Sequence, residues 1–236
     1  MKCDIITLFP EMLAPALRTS ILKRATERGL LDVRLHQLRD FTSDKRQVTD
    51  DSPYGGGPGM VLKPEPIFAA LDRIREDRGE VRIILTSPQG RVFDQSLAEA
   101  FSKEERALVF ICGHYEGVDE RVKEGTGLEE VSIGDYILTG GELASLVMID
   151  ASTRLIRGAL GKEASIEEES FSSSLLEYPH YTRPAEFKGM RVPEILVSGD
   201  HQAIRNWRNK QALLNTLQKR PDLLTDVSVA EGKGPR

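Results

Sequence analysis

The sequence predicts an α/β fold: a mainly parallel sheet over residues 1–160, then a linker and a small, mainly helical C-terminal domain. Three observations predict it. Short apolar, strand-like runs alternate with helical patterns through the first 160 residues, as successive βαβ units require. The stretch from Gly158 to Ser174 is polar, acidic and serine-rich, with neither helical nor strand periodicity. Beyond it a helical spacing returns over His201–Gln218, with Ile204, Trp207, Leu214 and Leu217 on one side.

Taken in order, Lys2 to Phe9 reads as a buried first strand. Thr19 is placed to cap a helix through Arg28, closed by Gly29. Leu31 to Leu38 alternates cleanly and predicts a half-buried strand. Asp40 to Gly59 is poor in apolar residues and rich in turn formers, the mark of a long functional loop. Pro64 and Pro66 open a helix carrying Ile67, Phe68, Leu71 and Ile74. Val81–Leu85 is a strand, Asp94 caps a helix to Lys103, and Ala107–Cys112 is a second buried strand. Glu142 to Ile156 is a helix expected to turn Leu143, Leu146, Val147 and Ile149 to the core. Pro179, Pro184 and Pro193 punctuate an irregular run before the last helix.

Composition bounds the function. With 236 residues, 39% hydrophobic and 29% charged, the chain is an ordinary globular protein. No apolar run approaches the roughly 18 residues of a membrane span, and Asp4 and Pro10 interrupt any secretory signal, so a soluble, cytoplasmic protein is expected. Cys3 and Cys112 offer neither a disulfide framework nor metal spacing and read as buried thiols. A net charge of −5 argues against a nucleic-acid partner, but its distribution argues for one. Between Ala164 and Glu177 lie four acids and no base, whereas between His201 and Arg220 lie five bases and no acid. Binding to phosphate depends on local potential rather than on the total.

Three glycine-bearing loops follow strands of the first domain. They are Thr86-Ser87-Pro88-Gln89-Gly90, Gly113 to Arg121, and Ile133 to Ala144 with its Gly140-Gly141 pair. In open α/β sheets ligands bind beyond the carboxyl ends of strands, so three such loops predict one pocket. In the third, the paired glycines are expected to adopt angles other residues resist, letting bare backbone approach a flat ligand such as an adenine edge. Taken alone, each loop is also readable as a plain turn. Gly55-Gly56-Gly57-Pro58-Gly59 lacks the Lys-Ser or Lys-Thr of a phosphate loop, and Gly125-Thr126-Gly127 lacks a dinucleotide fingerprint because Glu130 takes the third glycine position. A glycine-rich lid over a large substrate fits the first run better. His114 reads either as a hydrogen-bonded structural residue or as a catalytic base. Arg154 reads as a surface or helix-end cation, or as a guanidinium aimed at a developing oxyanion. Trp207, between Arg205 and Arg208, reads as core or as a nucleic-acid face.

Several long motifs occur together in one order: Pro53 to Met60, Ser87 to Gly90, Gly113 to Arg121, Ile133 to Ala144, and Pro179-His180-Tyr181-Thr182-Arg183-Pro184. On these, from Thr7 to Arg208, the chain resembles the TrmD family, the bacterial tRNA (guanine-37-N1)-methyltransferases of the SPOUT superfamily. The resemblance implies a SPOUT-type parallel-sheet domain with a deep trefoil knot over residues 1–160, a linker over 161–174 and a helical tRNA-binding domain over 175–236. It implies an enzyme that uses S-adenosyl-L-methionine to methylate N1 of the guanosine beside the anticodon, as a homodimer with shared sites.

By the same resemblance, Glu169 is the proton acceptor and Arg154 stabilises charge on guanine O6. Cofactor contacts fall to Thr86, Ser87, Pro88, Gly113, Tyr115, Glu116, Ile133, Gly134, Asp135, Tyr136, Ile137, Leu138, Gly140, Gly141 and Glu177. Asp50, Arg205, Arg208 and Lys210 fall to tRNA. Glu169 and Glu177 depart from the family, which carries Asp at both positions; the extra methylene changes reach by roughly 1 Å, a distance that matters for proton transfer. Some members depend on Mg2+, although no ligand cluster in this sequence demands a metal. Rival readings are a SPOUT enzyme acting on another RNA atom, such as a ribose hydroxyl, and a non-catalytic RNA-binding cofactor sensor. A nicotinamide dehydrogenase is disfavoured by the missing fingerprint.

Overall fold

The computed structural model describes residues 1–160, 170–171 and 175–224. The chain divides into two compact units, Met1–Gly161 and Lys162–Arg236. The first is built from β1 (Lys2–Thr7), α1 (Pro10–Leu17), α2 (Ser20–Glu27), β2 (Asp32–Gln37), β3 (Asp50–Asp51), β4 (Val61–Leu62), α3 (Pro64–Arg78), β5 (Val81–Val92), α4 (Gln95–Ser102), β6 (Ala107–Cys112), α5 (Glu120–Thr126), β7 (Glu129–Ser132) and α6 (Glu142–Thr153). Its main sheet has the order β2-β1-β6-β5-β7 with every pairing parallel.

The central strands β1 and β6 are buried on both faces, which is why both read as near-continuous apolar runs. Alternate residues serve two cores. Cys3, Ile5, Leu108 and Phe110 pack with side chains of α1, α2, α4 and α6. Ile6, Val109 and Ile111 pack with α3 and α5 on the other face. Asp4 is the exception in β1. At 1% exposure, it accepts from Arg78 Nε at 2.8 Å and lies 2.7 Å from His36 Nε2. A buried carboxylate needs such partners.

Three expectations are corrected and one helix is added. Helix α1 was not anticipated; it starts with Pro10 at its first position, where a proline's missing N–H is harmless. Thr19 precedes α2 but does not cap it, because its hydroxyl donates to the Ala16 carbonyl instead. Strand β5 continues to Val92, and Thr86 and Arg91 both pair with Val131. The expected loop after Leu85 is therefore a bulge inside one strand. Gly90 re-enters the ladder so tightly that a Cβ would lie 2.3 Å from Glu130 backbone. In α6 the core face is Ala144, Ser145, Met148, Ile149 and Ser152, whereas Leu143 and Val147 are 48% and 47% exposed. The inner face carries Ser145 and Ser152 while the outer one carries Leu143 and Val147, so composition alone does not identify it.

The second unit holds a two-stranded hairpin, β8 (Glu186–Phe187) and β9 (Met190–Arg191), and α7 (His201–Lys219). Asp200 caps α7 by accepting from the N–H groups of Gln202 and Ala203, both at 3.0 Å. The segment before the hairpin is tied to α7: Leu176 N–H donates to Thr216 Oγ1 at 2.9 Å, and Asn215 Nδ2 donates to the Glu177 carbonyl at 3.0 Å. Ala212 and Thr216, not Leu214 and Leu217, are the buried residues of this helix. Trp207 is half-buried.

Candidate active site

Three segments converge, one within β5 and one each after β6 and β7. The β5 bulge, the turn after β6 and the irregular run 133–141 line one cavity of about 450 Å3, within the ~300–1,000 Å3 range of small-ligand sites. Gly141 N–H donates to the Gly113 carbonyl at 2.9 Å, and His114 pairs with Gly140 as an isolated antiparallel bridge. These contacts lay the run 133–141 across the end of β6. Neither Gly140 nor Gly141 has a left-handed φ, contrary to the conformational role expected of them. Their role is space. A Cβ on Gly141 would lie 1.8 Å from Thr86 Oγ1 and 2.9 Å from Cys112 Cα; one on Gly140 would lie 2.3 Å from Glu142 Oε2 and 2.7 Å from His114 Nδ1. Left-handed backbone is required instead at Gly134 (φ +147°) and Gly117 (φ +115°).

Of the residues singled out for the cofactor, Thr86, Ser87, Pro88, Gly113, Tyr115, Glu116, Ile133, Gly134, Tyr136, Ile137, Leu138, Gly140 and Gly141 line this cavity. Asp135 does not, although it lies in the same run. Glu177 lies in the second unit, where its Oε2 is 2.9 Å from His180 Nε2. Glu169 lies outside the described residues. Arg154 closes α6 as its C-cap residue, with its N–H donating to the Asp150 carbonyl at 3.2 Å. Asp50 is half-buried in β3 and pairs with Leu62 of β4. Arg205 Nη2 donates to Gln202 Oε1 at 2.7 Å, Arg208 lies 4.7 Å from the centre of the Tyr178 ring, and Lys210 is exposed on α7.

Gln89, Glu120 and Thr139, in the expected loops but given no role there, also line the cavity, and sequence reasoning missed Lys123 and Ser132. Lys123 was hidden because α5 has only seven residues, too few for a periodic signal; the cue was Asp119, whose side chain accepts from Arg121 N–H at 3.0 Å to start it. Burial opposes the charge on Lys123, but Glu120 at 3.1 Å and Glu130 at 3.2 Å outweigh it and hold the ammonium above its usual range. A permanent cation therefore sits in the wall. His114, expected to be hydrogen-bonded or a base, is held by rings: Tyr115 at 4.6 Å edge-on and Phe9 at 5.1 Å. Its buried Nδ1 has no hydrogen-bond partner among the described residues. Behind the site, burial pushes the Cys112 thiol upward and Glu142 adds to the effect, so the thiol stays protonated; it contacts Ser145 Oγ at 3.7 Å.

The lining suits an adenosyl group. Among the described residues no hydrogen bond engages the backbone polar groups of Ile137 or Leu138, both exposed at the cavity, and such groups read purine edges without charge. Apolar walls come from Leu85, Val131, Ile133 and Ala144, with the Tyr115 and Tyr136 rings beside them. Among the described residues no group of three or more His, Cys, Asp and Glu side chains could hold a metal ion, and no helix is long and apolar enough to cross a membrane.

Comparison with known proteins agrees with the resemblance. The family described as tRNA (Guanine-1)-methyltransferase TrmD matches residues 1–226. The chain is 57% identical over 224 residues to a tRNA (guanine-N(1)-)-methyltransferase of Carboxydothermus hydrogenoformans, covering 95% of this chain and 87% of that one. It is 54% identical over 224 residues to that of Geobacter metallireducens, covering 95% and 91%. It is 53% identical over 231 residues to that of Geobacillus kaustophilus, covering 98% and 94%. With so long a match at such identity, this chain belongs to the tRNA (guanine-1)-methyltransferase family.

Proposed function

We propose that the protein transfers a methyl group from S-adenosyl-L-methionine to N1 of guanosine 37 of tRNA, in the cytoplasm. The observation that carries this reading is the convergence of the three loops on one cavity in a member of this family. When bound, the cofactor supplies an electrophilic methyl group. The chain does the rest. Backbone groups of Ile133 to Leu138 hold the adenine edge, and Tyr115 and Glu116 wall the adenosyl group. Guanine N1 carries a proton and is a poor nucleophile at neutral pH, so a base must take that proton as the N1–methyl bond forms. Glu169 takes it, and Arg154 meets the negative charge that develops on O6. The residues 1–160 hold the cofactor, and the residues 175–236 hold tRNA through Arg205, Arg208 and Lys210, with Asp50 contributing from the first domain.

The reading includes a homodimer in which one subunit's linker and C-terminal domain complete the other's site. It also includes the SPOUT trefoil knot, in keeping with the way the run 133–141 lies across the end of β6. A Mg2+ dependence is carried by the resemblance alone; chelation with EDTA should slow transfer, and an unchanged rate removes the ion. The decisive test incubates unmodified tRNA with methyl-labelled cofactor and digests the product to nucleosides. Label in 1-methylguanosine from position 37 is expected. Label on a ribose hydroxyl, or none, overturns the reading.

A further inference from the structure

The second unit contains a cavity that the reaction does not use. It measures about 440 Å3 and lies between the run Tyr178–Ala185 and α7, with Leu196 and Val197 on its apolar side. Its walls include the Pro179-His180-Tyr181-Thr182-Arg183 motif, to which the chemistry assigns no work.

The aromatic residues differ in availability. Tyr178 is engaged, with the Arg208 guanidinium 4.7 Å from its ring centre and the His180 ring at 4.8 Å. His180 is fixed in turn by Glu177, 2.9 Å from its Nε2. Tyr181 is 50% exposed and makes no ring contact among the described residues. Thr182, Arg183 and Arg208 line the same cavity, with the Arg208 guanidinium over the Tyr178 ring. An apolar floor, an open aromatic ring and planar cationic donors match what proteins use for unstacked bases of single-stranded RNA.

We propose that this cavity is a stacking pocket for one unpaired nucleoside of the RNA substrate, with Tyr181 as the platform and Arg183 and Arg208 as donors to the base edge. The proposal rests on the tRNA reading above. It also refines the role of Arg208, from gripping phosphate to framing a base.

Full-length, fluorescently labelled unmodified tRNA is titrated with the wild type and with Tyr181→Ala, Tyr181→Phe and Val197→Trp. Both positions are exposed, Tyr181 by 50% and Val197 by 67%, so the fold should persist. Tyr181→Ala should weaken tRNA binding roughly ten-fold, Tyr181→Phe should keep it within about two-fold, and Val197→Trp should weaken it by filling the cavity. Because stacking releases no counterions, the salt dependence of the Tyr181→Ala affinity should keep the wild-type slope. Calorimetric affinity for S-adenosyl-L-methionine should not change in any variant. Tyr181→Ala binding within two-fold of wild type, a Tyr181→Phe loss equal to that of Tyr181→Ala, or a shallower salt slope overturns the pocket. None of these outcomes touches the methyl-transfer assay, so a wild type that makes 1-methylguanosine while Tyr181→Ala binds normally loses the pocket and keeps the proposed function.

Discussion

Gly141 shows how a single missing side chain shapes this site. Its backbone angles, φ −84° and ψ −4°, are open to any residue, so a substitution there tests space alone. A methyl group would strike Thr86 Oγ1 and the Cys112 backbone, whereas at Gly140 it would strike only side-chain atoms, of Glu142 and His114. Forcing atoms into a packed site costs ~1–3 kcal/mol. Gly141→Ala should therefore lower the melting temperature by several degrees and weaken S-adenosyl-L-methionine binding at least ten-fold by calorimetry, with Gly140→Ala the milder of the two. Equal affinities for Gly141→Ala and wild type would mean that the run 133–141 does not hold the cofactor. Glu169 presents a different single-residue question, one of proton transfer. Glu169→Gln should keep cofactor and tRNA affinities and lose most single-turnover transfer, on the order of 10²–10⁴-fold. Near-normal single-turnover rates would put the base elsewhere.

At the scale of elements, the glycine-rich segment ahead of β4 is stitched to the turn after β6. Glu116 N–H donates to the Met60 carbonyl at 3.1 Å, Leu62 N–H to Gly117 at 3.0 Å, and Asp119 N–H to Leu62 at 3.0 Å. Gly59, at φ +82°, lies against Glu116, so that a Cβ would come 2.3 Å from Oε1. Gly59 is outside the cavity and Glu116 is in its wall. Gly59→Ala should thus weaken cofactor binding several-fold while leaving β1 and β6 intact, measured by calorimetry beside a far-ultraviolet spectrum; unchanged binding would uncouple the two segments. A second device ties strands together. Arg82 on β5 bonds Glu129 of β7 through Nε at 2.5 Å and Nη2 at 3.1 Å, and reaches Glu104 ahead of β6 at 3.4 Å. The Arg106 guanidinium, donating to Glu104 at 2.9 Å, is the main reason its carboxyl is held down at about 2. Since the folded value lies below the ordinary 4.5, this stabilisation is present in full above pH 4.5 and fades as pH falls toward 2. Glu104→Gln should lower the urea midpoint at pH 7, by an amount that solvent screening of the exposed Arg106 keeps small. Its urea midpoint should change less than that of wild type between pH 5 and pH 3, and parallel curves would exclude the pair from acid stability.

For the whole molecule, the parallel sheet was legible because β1 and β6 are buried on both faces and cannot avoid apolar runs. The pocket was legible because glycines at strand ends survive as a local pattern whatever the tertiary detail. The inner face of α6 was not, because Leu143 and Val147 are as apolar as the residues that do face the core. Nor was the bulge of β5, which depends on how β7 docks beside it. The misread helix face has its own consequence. Leu143 and Val147 remain exposed one turn apart on α6, and α1, which packs beside α6, exposes Met12. Apolar side chains grouped in this way mark association surfaces, and a second copy of the chain is the occupant that the proposed shared site requires. Charge at the centre of an apolar interface is costly to bury. The double substitution Leu143→Glu with Val147→Glu should therefore halve the mass found by sedimentation velocity at micromolar concentration. Both side chains point away from the core, so the fold and its thermal transition should persist. Methyl transfer should fall to background with the dimer, because the base in the linker and the cofactor loops would no longer meet. A variant that remains dimeric places the interface elsewhere, and one that is monomeric yet fully active shows that a single subunit builds the whole site.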